Sequence, residues 1–283
     1  MERRDREDAS GSGVELLPAT ADERDLEDLA ACSHASILPA SDVQRPAPCT
    51  TASPSSPQAR PYDRPVTPDE LISRYPRIYH TADARAWSAI QRFGLLPSNQ
   101  LRDTAGLGAS TPSARRADSE LVTLPGEGHV AILRDQKPLK FLSEVLDDET
   151  SVEQFLEILD SRCFFWASEA RLLRLLNGRH YRAMQQVVLT LDTASLVSGY
   201  EDLIELSPYN SGSAHVPNAP VRGKTTFKRL ADYDHAAWQR KRGKSGDALV
   251  EVTIRGAVPD LSNHLAEVRH FPGPDFPLRP SQE

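Results

Sequence analysis

The sequence predicts an α+β protein, because strand-like and helix-like segments mix along it without the regular alternation of a doubly wound parallel sheet. Short runs rich in apolar, aromatic and β-branched residues are typical of strands. A dinucleotide-binding fingerprint is excluded, because Thr111 stands where the Gly106-Leu107-Gly108 segment needs a third glycine. The predicted strands are residues 78–80, 129–133, 163–166, 186–191, 204–206 and 248–254.

Composition bounds the class of protein. The 283 residues, of which 39% are hydrophobic, suffice for one large domain or two small ones. The net charge of −7 excludes a wholly basic nucleic-acid-coating protein but leaves room for a local basic groove. The cysteines form no C-x-x-C pair, which argues against a zinc ribbon. Without an apolar run of about 18 residues or a secretory segment, we expect no membrane partner and a cytoplasmic or otherwise intracellular location.

Residues 1–68 are predicted to be a disordered tail and residues 69–283 a folded domain. Residues 22–28 are a dense charge run, and residues 39–68 are rich in proline and serine. Such a composition cannot bury enough apolar surface to offset the entropy of ordering. Order is predicted to begin where Thr67 can cap a helix whose first turn holds Pro68.

The first ordered unit predicts a strand that ends at His80, then a helix that Gly94 ends. Trp87 and Ile90 share one face of that helix. A histidine placed where strand turns into helix lies near unpaired backbone N–H groups, which suit a polar ligand. A buried histidine with a structural hydrogen bond is the alternative.

Two aromatic features leave the same choice between packing and binding. In the strand 163–166, Phe164 and Trp166 point to one side and Phe165 to the other, so the first two can pack in the core or form a wall for a ligand ring. Ser168 is predicted to cap the following helix. Tyr181, after that helix, can stack similarly or lie on the surface.

Glu251 is a carboxylate in an otherwise apolar or β-branched strand. Alternation puts Val250 and Val252 on one face and Glu251 on the other. The carboxylate therefore either faces water or lines a cleft.

Two further groups can contact a ligand. Arg134 follows an apolar strand and can clamp a phosphate, or form a surface ion pair with Asp135 or another acid. Asn210, Ser211 and Ser213 surround Gly212, where backbone can approach a ligand closely, although an ordinary turn has the same composition.

A basic segment runs from Arg222 to Lys244, with eight Lys or Arg, two acids and a local net charge of +6. Tyr233 and Trp238 are interleaved. The segment can meet the phosphates of a nucleic acid or of a dinucleotide, or it can be a solvated basic helix.

The order of these motifs resembles a known family. The Tyr-His-Thr strand at 79–81 with its helix and Gly-Leu-Leu, the CFFWASEARLLRLL segment, the QVVLTLDTASL strand and ALVEVTIRGAVPD are similar to elements of ADP-ribosyltransferase-type folds. The closest likeness is to DarT-like enzymes and RNA 2′-phosphotransferases, and to an uncharacterised bacterial family with YH…FFW…NSG…VEV motifs.

This resemblance implies a split two-sheet ADP-ribosyltransferase-like fold with surrounding helices, which grips NAD in a central cleft. Glu251 would be the catalytic carboxylate and His80 would contact the nicotinamide side of the NAD. Arg134 is the candidate for the catalytic arginine of the family. The residues that would bind NAD are Tyr79, His80, Thr81, Arg134, Phe164, Trp166, Tyr181, Asn210 and Ser211.

The expected function is an NAD-dependent mono-ADP-ribosyltransferase with NAD as substrate and a nucleic-acid or protein acceptor bound through Arg222 to Lys244. An RNA 2′-phosphotransferase-like enzyme and a non-catalytic nucleotide-binding module are the alternatives. H-E-x-x-H, G-x-S-x-G and P-loop motifs do not occur in the sequence.

Overall fold

A computed structural model describes residues 65–108 and 115–272. These residues fold as a mixed α/β protein with a large antiparallel sheet and a small two-stranded sheet, which confirms the predicted α+β class. Most of the predicted tail, residues 1–64, lies outside the described residues. Val66 already packs in the core, so the fold begins slightly before the predicted boundary.

The strands are β1 (Arg77–Asp83), β2 (Glu120–Thr123), β3 (Val130–Leu133), β4 (Arg162–Trp166), β5 (Gln186–Asp192), β6 (Ile204–Ser207), β7 (Lys228–Arg229), β8 (Glu251–Arg255) and β9 (Leu265–Phe271). The large sheet has the strand order β7-β6-β8-β4-β1-β5-β9, and its neighbouring strands pair antiparallel. The small sheet pairs β2 with β3.

The centre of the large sheet is weakly joined. Strand β1 pairs with β5 along all seven of its residues, from Arg77 to Asp83, but it pairs with β4 only at Tyr79 opposite Trp166. Strand β4, in contrast, pairs with β8 over five residues. The sheet therefore consists of two well-paired groups, β7-β6-β8-β4 and β1-β5-β9, which separate beyond one shared pair.

Several helices begin at a residue whose side chain caps the first turn. Thr67 forms a capping box at the start of the first helix, and Ser151 does the same at the fifth. Ser168 accepts from the Arg171 N–H, as predicted. No helix within the described ranges is long and apolar enough to cross a bilayer. The helices are α1 (Pro68–Arg74), α2 (Trp87–Phe93), α3 (Ser98–Thr104), α4 (Leu142–Val145), α5 (Val152–Asp160), α6 (Glu169–Leu176), α7 (Thr193–Tyr200) and α8 (His235–Arg242).

Two predicted boundaries were wrong in ways that matter for the site. Strand β1 continues three residues past His80, so the His80 ring lies within a strand and not at a helix start. Strand β8 begins at Glu251, so this carboxylate lies at the first residue of the strand and not in its middle. In both places backbone pairing with a neighbouring strand decides the boundary, and local pattern does not report it.

The main core lies against the large sheet and includes Leu71, Ile78, Phe165, Leu189 and Val252. A turn after α2 is essential to it. Gly94 has a φ of +73°, which lets Leu95 exchange backbone hydrogen bonds with Val258. The predicted glycine stop of this helix is confirmed.

Replacing Gly94 with alanine should therefore destabilise the fold strongly. A Cβ at this position would lie 2.1 Å from the Val258 carbonyl oxygen, in addition to the strain of a positive φ. We expect G94A to lower the free energy of unfolding by about 3 kcal/mol or more in urea titration. Gly108 is the matched control, because its φ is +68° but a Cβ there meets no atom within 4 Å. G108A should cost only about 1 kcal/mol, and equal losses in the two variants would contradict the steric explanation.

Candidate active site

A cavity of about 440 Å³ opens where β1 and β4 separate. Its walls come from β1, α2, β3, β4 and the first residue of β8, together with the loop that follows β6. Such a volume is typical of small-molecule and cofactor sites. The predicted site residues that line it are His80, Thr81, Arg134, Phe164, Trp166, Tyr181, Asn210 and Glu251.

Glu251 is buried at one end of this cavity, with 5% of its surface exposed. The alternative of a solvated carboxylate is therefore wrong. Glu251 lies opposite Trp166 on β4 and Ser207 on β6, so pairing on both sides fixes its backbone. Its Oε2 accepts from the Ser211 N–H at 3.1 Å and from the Ser211 hydroxyl at 2.7 Å. Within the described residues, no hydrogen bond reaches Oε1.

The loop that carries Ser211 is held from beneath by Arg222, which is only 2% exposed. The Arg222 guanidinium donates to the carbonyl oxygens of Asn210 at 3.1 Å and Ser213 at 2.7 Å, and also to those of Ser211 and Pro220. It also lies 4.2 Å from the centre of the Tyr209 ring. Arg222 is thus a structural cation of the loop, because its donors are committed to backbone.

Burial raises the pKa of Glu251 to about 7. The two hydrogen bonds from Ser211 and the positive charge of Arg222 act in the opposite direction, because each favours the ionised form. The carboxylate therefore changes charge near neutral pH, as is common for groups at functional sites.

His80 lines the same cavity, and its ring forms a hydrogen bond that links the two strand groups. Its Nδ1 lies 2.9 Å from the Phe164 carbonyl oxygen. Since a carbonyl can only accept, Nδ1 carries the proton and Nε2 is left as an acceptor without a partner among the described residues. Burial and the nearby Arg134 charge lower the pKa of His80, which keeps the ring neutral.

Arg134 extends from the end of β3 over the Tyr181 ring, with 4.6 Å between its guanidinium carbon and the ring centre. The predicted ion pair with Asp135 does not form, because Asp135 accepts from Ser119 and from the Lys137 N–H. Within the described residues, Arg134 is the cavity arginine that forms no ion pair with a carboxylate, although its charge contributes to lowering the pKa of Asp83. Phe164, which also lines the cavity, contacts the Phe227 ring edge to face.

Two predicted binding residues do not line the cavity. Tyr79 packs with Leu172 and Phe271 on the other side of the sheet, because residues 79 and 80 of a strand point to opposite faces. Ser211 is fully buried and acts on the cavity through Glu251.

The basic segment from Arg222 to Lys244 is not one solvated helix, which corrects that prediction. Arg222 is buried in the loop, and Tyr233 packs in the core with its hydroxyl donating to the Ala248 carbonyl. Helix α8 covers only its second half. The exposed cations of the whole segment are Lys224, Arg229, Arg240, Lys241 and Lys244.

Sequence reasoning missed several polar groups that line the cavity, among them Asp83, the Arg116–Asp160 pair and His215. Asp83 is buried and accepts from the Arg85 guanidinium, which lowers the pKa of Asp83. Arg116 binds both carboxylate oxygens of Asp160, at 2.6 and 2.8 Å. His215 lies four residues after Ser211. An Asp at a strand end is a visible capping signal, but nothing local links residues 116 and 160.

The chain belongs to the Family of unknown function (DUF7002), whose match covers residues 76–265, about two thirds of the chain. The match spans β1 to the start of β9 and so includes all of the cavity residues named above. No curated protein and no solved structure matches the chain.

The charge state of Glu251 predicts an unusual pH dependence of stability. An ordinary glutamate has a pKa near 4.5, so between pH 4.5 and 7 the folded state binds more protons than the unfolded state and stability falls as pH rises. E251Q removes the free-energy cost of burying an ionised carboxylate, because the amide stays neutral at every pH. We expect the variant and the parent to unfold alike at pH 4, and the variant to be more stable at pH 8 by up to about 3 kcal/mol.

Urea unfolding at a series of pH values measures this difference. A stability difference that does not change between pH 4 and pH 8 would contradict the raised pKa of Glu251.

Proposed function

We propose that this protein is an NAD-dependent mono-ADP-ribosyltransferase with a split, ADP-ribosyltransferase-like fold. The observation that carries the proposal is Glu251, a buried carboxylate held through one oxygen by Ser211 in the same cavity as His80. The separation of β1 from β4 supports the fold, because it opens a cleft between two strand groups.

The chemistry requires a fixed anion. Breaking the bond between nicotinamide and ribose develops positive charge at the ribose carbon, and a carboxylate held nearby stabilises that charge. Glu251 meets this need when ionised, with Oε1 available to the substrate. Ser211 and Arg222 both favour the ionised form, so the loop tunes the group for this role.

Other cavity residues suit the remaining parts of NAD. The unprotonated Nε2 of His80 can accept from a ribose hydroxyl or from the carboxamide N–H. The unpaired Arg134 guanidinium can bind the diphosphate, because its planar donors match phosphate oxygens. Phe164 and Tyr181 offer apolar walls for the rings, and Trp166 adds to the lining although it also packs against the cluster of Leu172 and Phe271.

The RNA 2′-phosphotransferase alternative is less well supported. It requires several basic side chains to converge on one phosphate, but Arg116 is tied to Asp160 and Arg162 to Glu205. Arg222 is beneath the loop and does not line the cavity. A non-catalytic nucleotide-binding module remains the other alternative.

A nucleic acid is the acceptor that the surface favours over a protein. Lys241 lies 4.8 Å from the centre of the Trp238 ring, and Trp238 contacts Tyr209, which precedes Asn210 of the cavity loop. A cationic, aromatic surface beside the cavity is typical of contacts to phosphates and bases.

Replacing Glu251 with glutamine tests the proposed activity. Purified protein is incubated with NAD, and free nicotinamide and ADP-ribosylated products are measured by mass spectrometry. We expect E251Q to lower nicotinamide release by about 100-fold or more, because the neutral amide cannot stabilise the developing charge.

Glu205 supplies the matched control. It is also a buried glutamate in the same sheet, but it pairs with Arg162 and Arg255 and does not line the cavity. E205Q should lower the melting temperature while retaining turnover per folded molecule. NAD binding without nicotinamide release by the parent protein would support the non-catalytic module, and absence of both would refute the proposed function.

A further inference from the structure

The loop between β6 and β7 is unusually well anchored for a connection that lines a cavity. Besides the four carbonyls that Arg222 holds, Ala214 donates its N–H to the Pro138 carbonyl at 2.7 Å and accepts from the Phe141 N–H at 2.9 Å. Backbone fixed at so many points holds its side chains in one position, which is what an active site requires.

Three side chains of this loop line the cavity with their hydrogen-bonding groups uncommitted. Within the described residues, no hydrogen bond reaches the side chain of Asn210, Ser213 or His215. All three are polar and none is an acid, an arginine or a lysine. They lie on the loop that also supplies Ser211 to Glu251, and they line the same cavity as this carboxylate.

His80 and His215 differ in what protonation would cost. His80 has Nδ1 committed to Phe164, and a second proton on its ring would face Arg134. His215 has more exposed surface and no ring nitrogen committed. Burial alone lowers the pKa of His215, so the ring is neutral at pH 7 and able to accept a proton. The charged groups that share the cavity with His215 or lie on the adjoining segments are Asp83, Arg116, Arg134, Asp135, Lys140, Asp160, Arg162, Arg222 and Glu251.

We propose that His215 is the base for the acceptor, and that the acceptor nucleophile is a neutral hydroxyl or amide-type N–H that Asn210 and Ser213 help to hold. This inference rests on the proposed NAD chemistry. The bond between the ribose carbon and the nicotinamide nitrogen breaks, and a bond from that carbon to the acceptor forms. The acceptor proton passes to a ring nitrogen of His215, and nicotinamide leaves as the neutral molecule.

Two small nucleophiles test this role without knowledge of the natural acceptor. Methanol carries a proton that must be removed, whereas azide is an anion that needs no base. We expect H215A to lower the formation of methyl ADP-ribose from NAD by about 100-fold with little change in KM for NAD. Formation of azido ADP-ribose should stay within about twofold of the parent rate, because no proton is transferred in that reaction.

Added imidazole should restore methanol transfer by H215A. The restored rate, divided by the azide rate at the same pH, should be higher at pH 8 than at pH 6, because only the neutral imidazole ring accepts a proton whereas ionisation of Glu251 affects both reactions. His270 is the control, since it is an exposed histidine on β9 that does not line the cavity, and H270A should behave as the parent protein does. Equal losses with methanol and azide, or no loss with either, would overturn the role of His215. If the parent protein releases no nicotinamide with any nucleophile, the proposed function itself has failed.

Discussion

A single pair of residues, Tyr79 and Trp166, joins the two strand groups of the large sheet. Each of the two strands that contribute this pair is fully paired with its other neighbour, β1 with β5 and β4 with β8. An unpaired stretch of strand is costly unless other groups satisfy its backbone. The His80 ring does so for Phe164, by donating from Nδ1 to its carbonyl oxygen. The same bond links the two strand groups beyond their one backbone pair and leaves Nε2 as the nitrogen of His80 that can accept from a ligand.

The second constraint is the burial of Glu251. A carboxylate removed from water resists ionisation, and the hydrogen bonds of Ser211 together with the charge of Arg222 only partly offset this cost. Arg222 in turn is stabilised by the carbonyl groups of the loop that contains Ser211. The loop, the cation and the carboxylate therefore depend on one another, and we expect substitutions among them to be non-additive.

Local features of the fold were predictable because their causes are local. Thr67 and Ser168 bond to backbone three residues away, and Gly94 provides a conformation that its neighbours cannot. The site was predictable only in part. Glu251 was recognisable as an unusual residue, but its place in the sheet depends on pairing with β4 and β6, and its carboxylate is bound by Ser211 from a distant loop.

What sequence reasoning missed comes from long-range contacts. Arg222 looked like the start of a basic surface, since a run of cations does not reveal which member folds under a loop. His80 looked like the end of a strand, because only pairing with β5 extends β1 to Asp83. The bond between Ser211 and Glu251 joins residues 40 positions apart. Patterns of hydrophobicity carry no information on such pairs.

The most direct measurement is a crystal structure of E251Q soaked with NAD, since the variant should bind the substrate without consuming it. We predict the nicotinamide ribose between His80 and the side chain of residue 251, with the diphosphate at Arg134. NAD bound elsewhere on the molecule, or a cavity that stays empty at saturating NAD, would contradict the assignment.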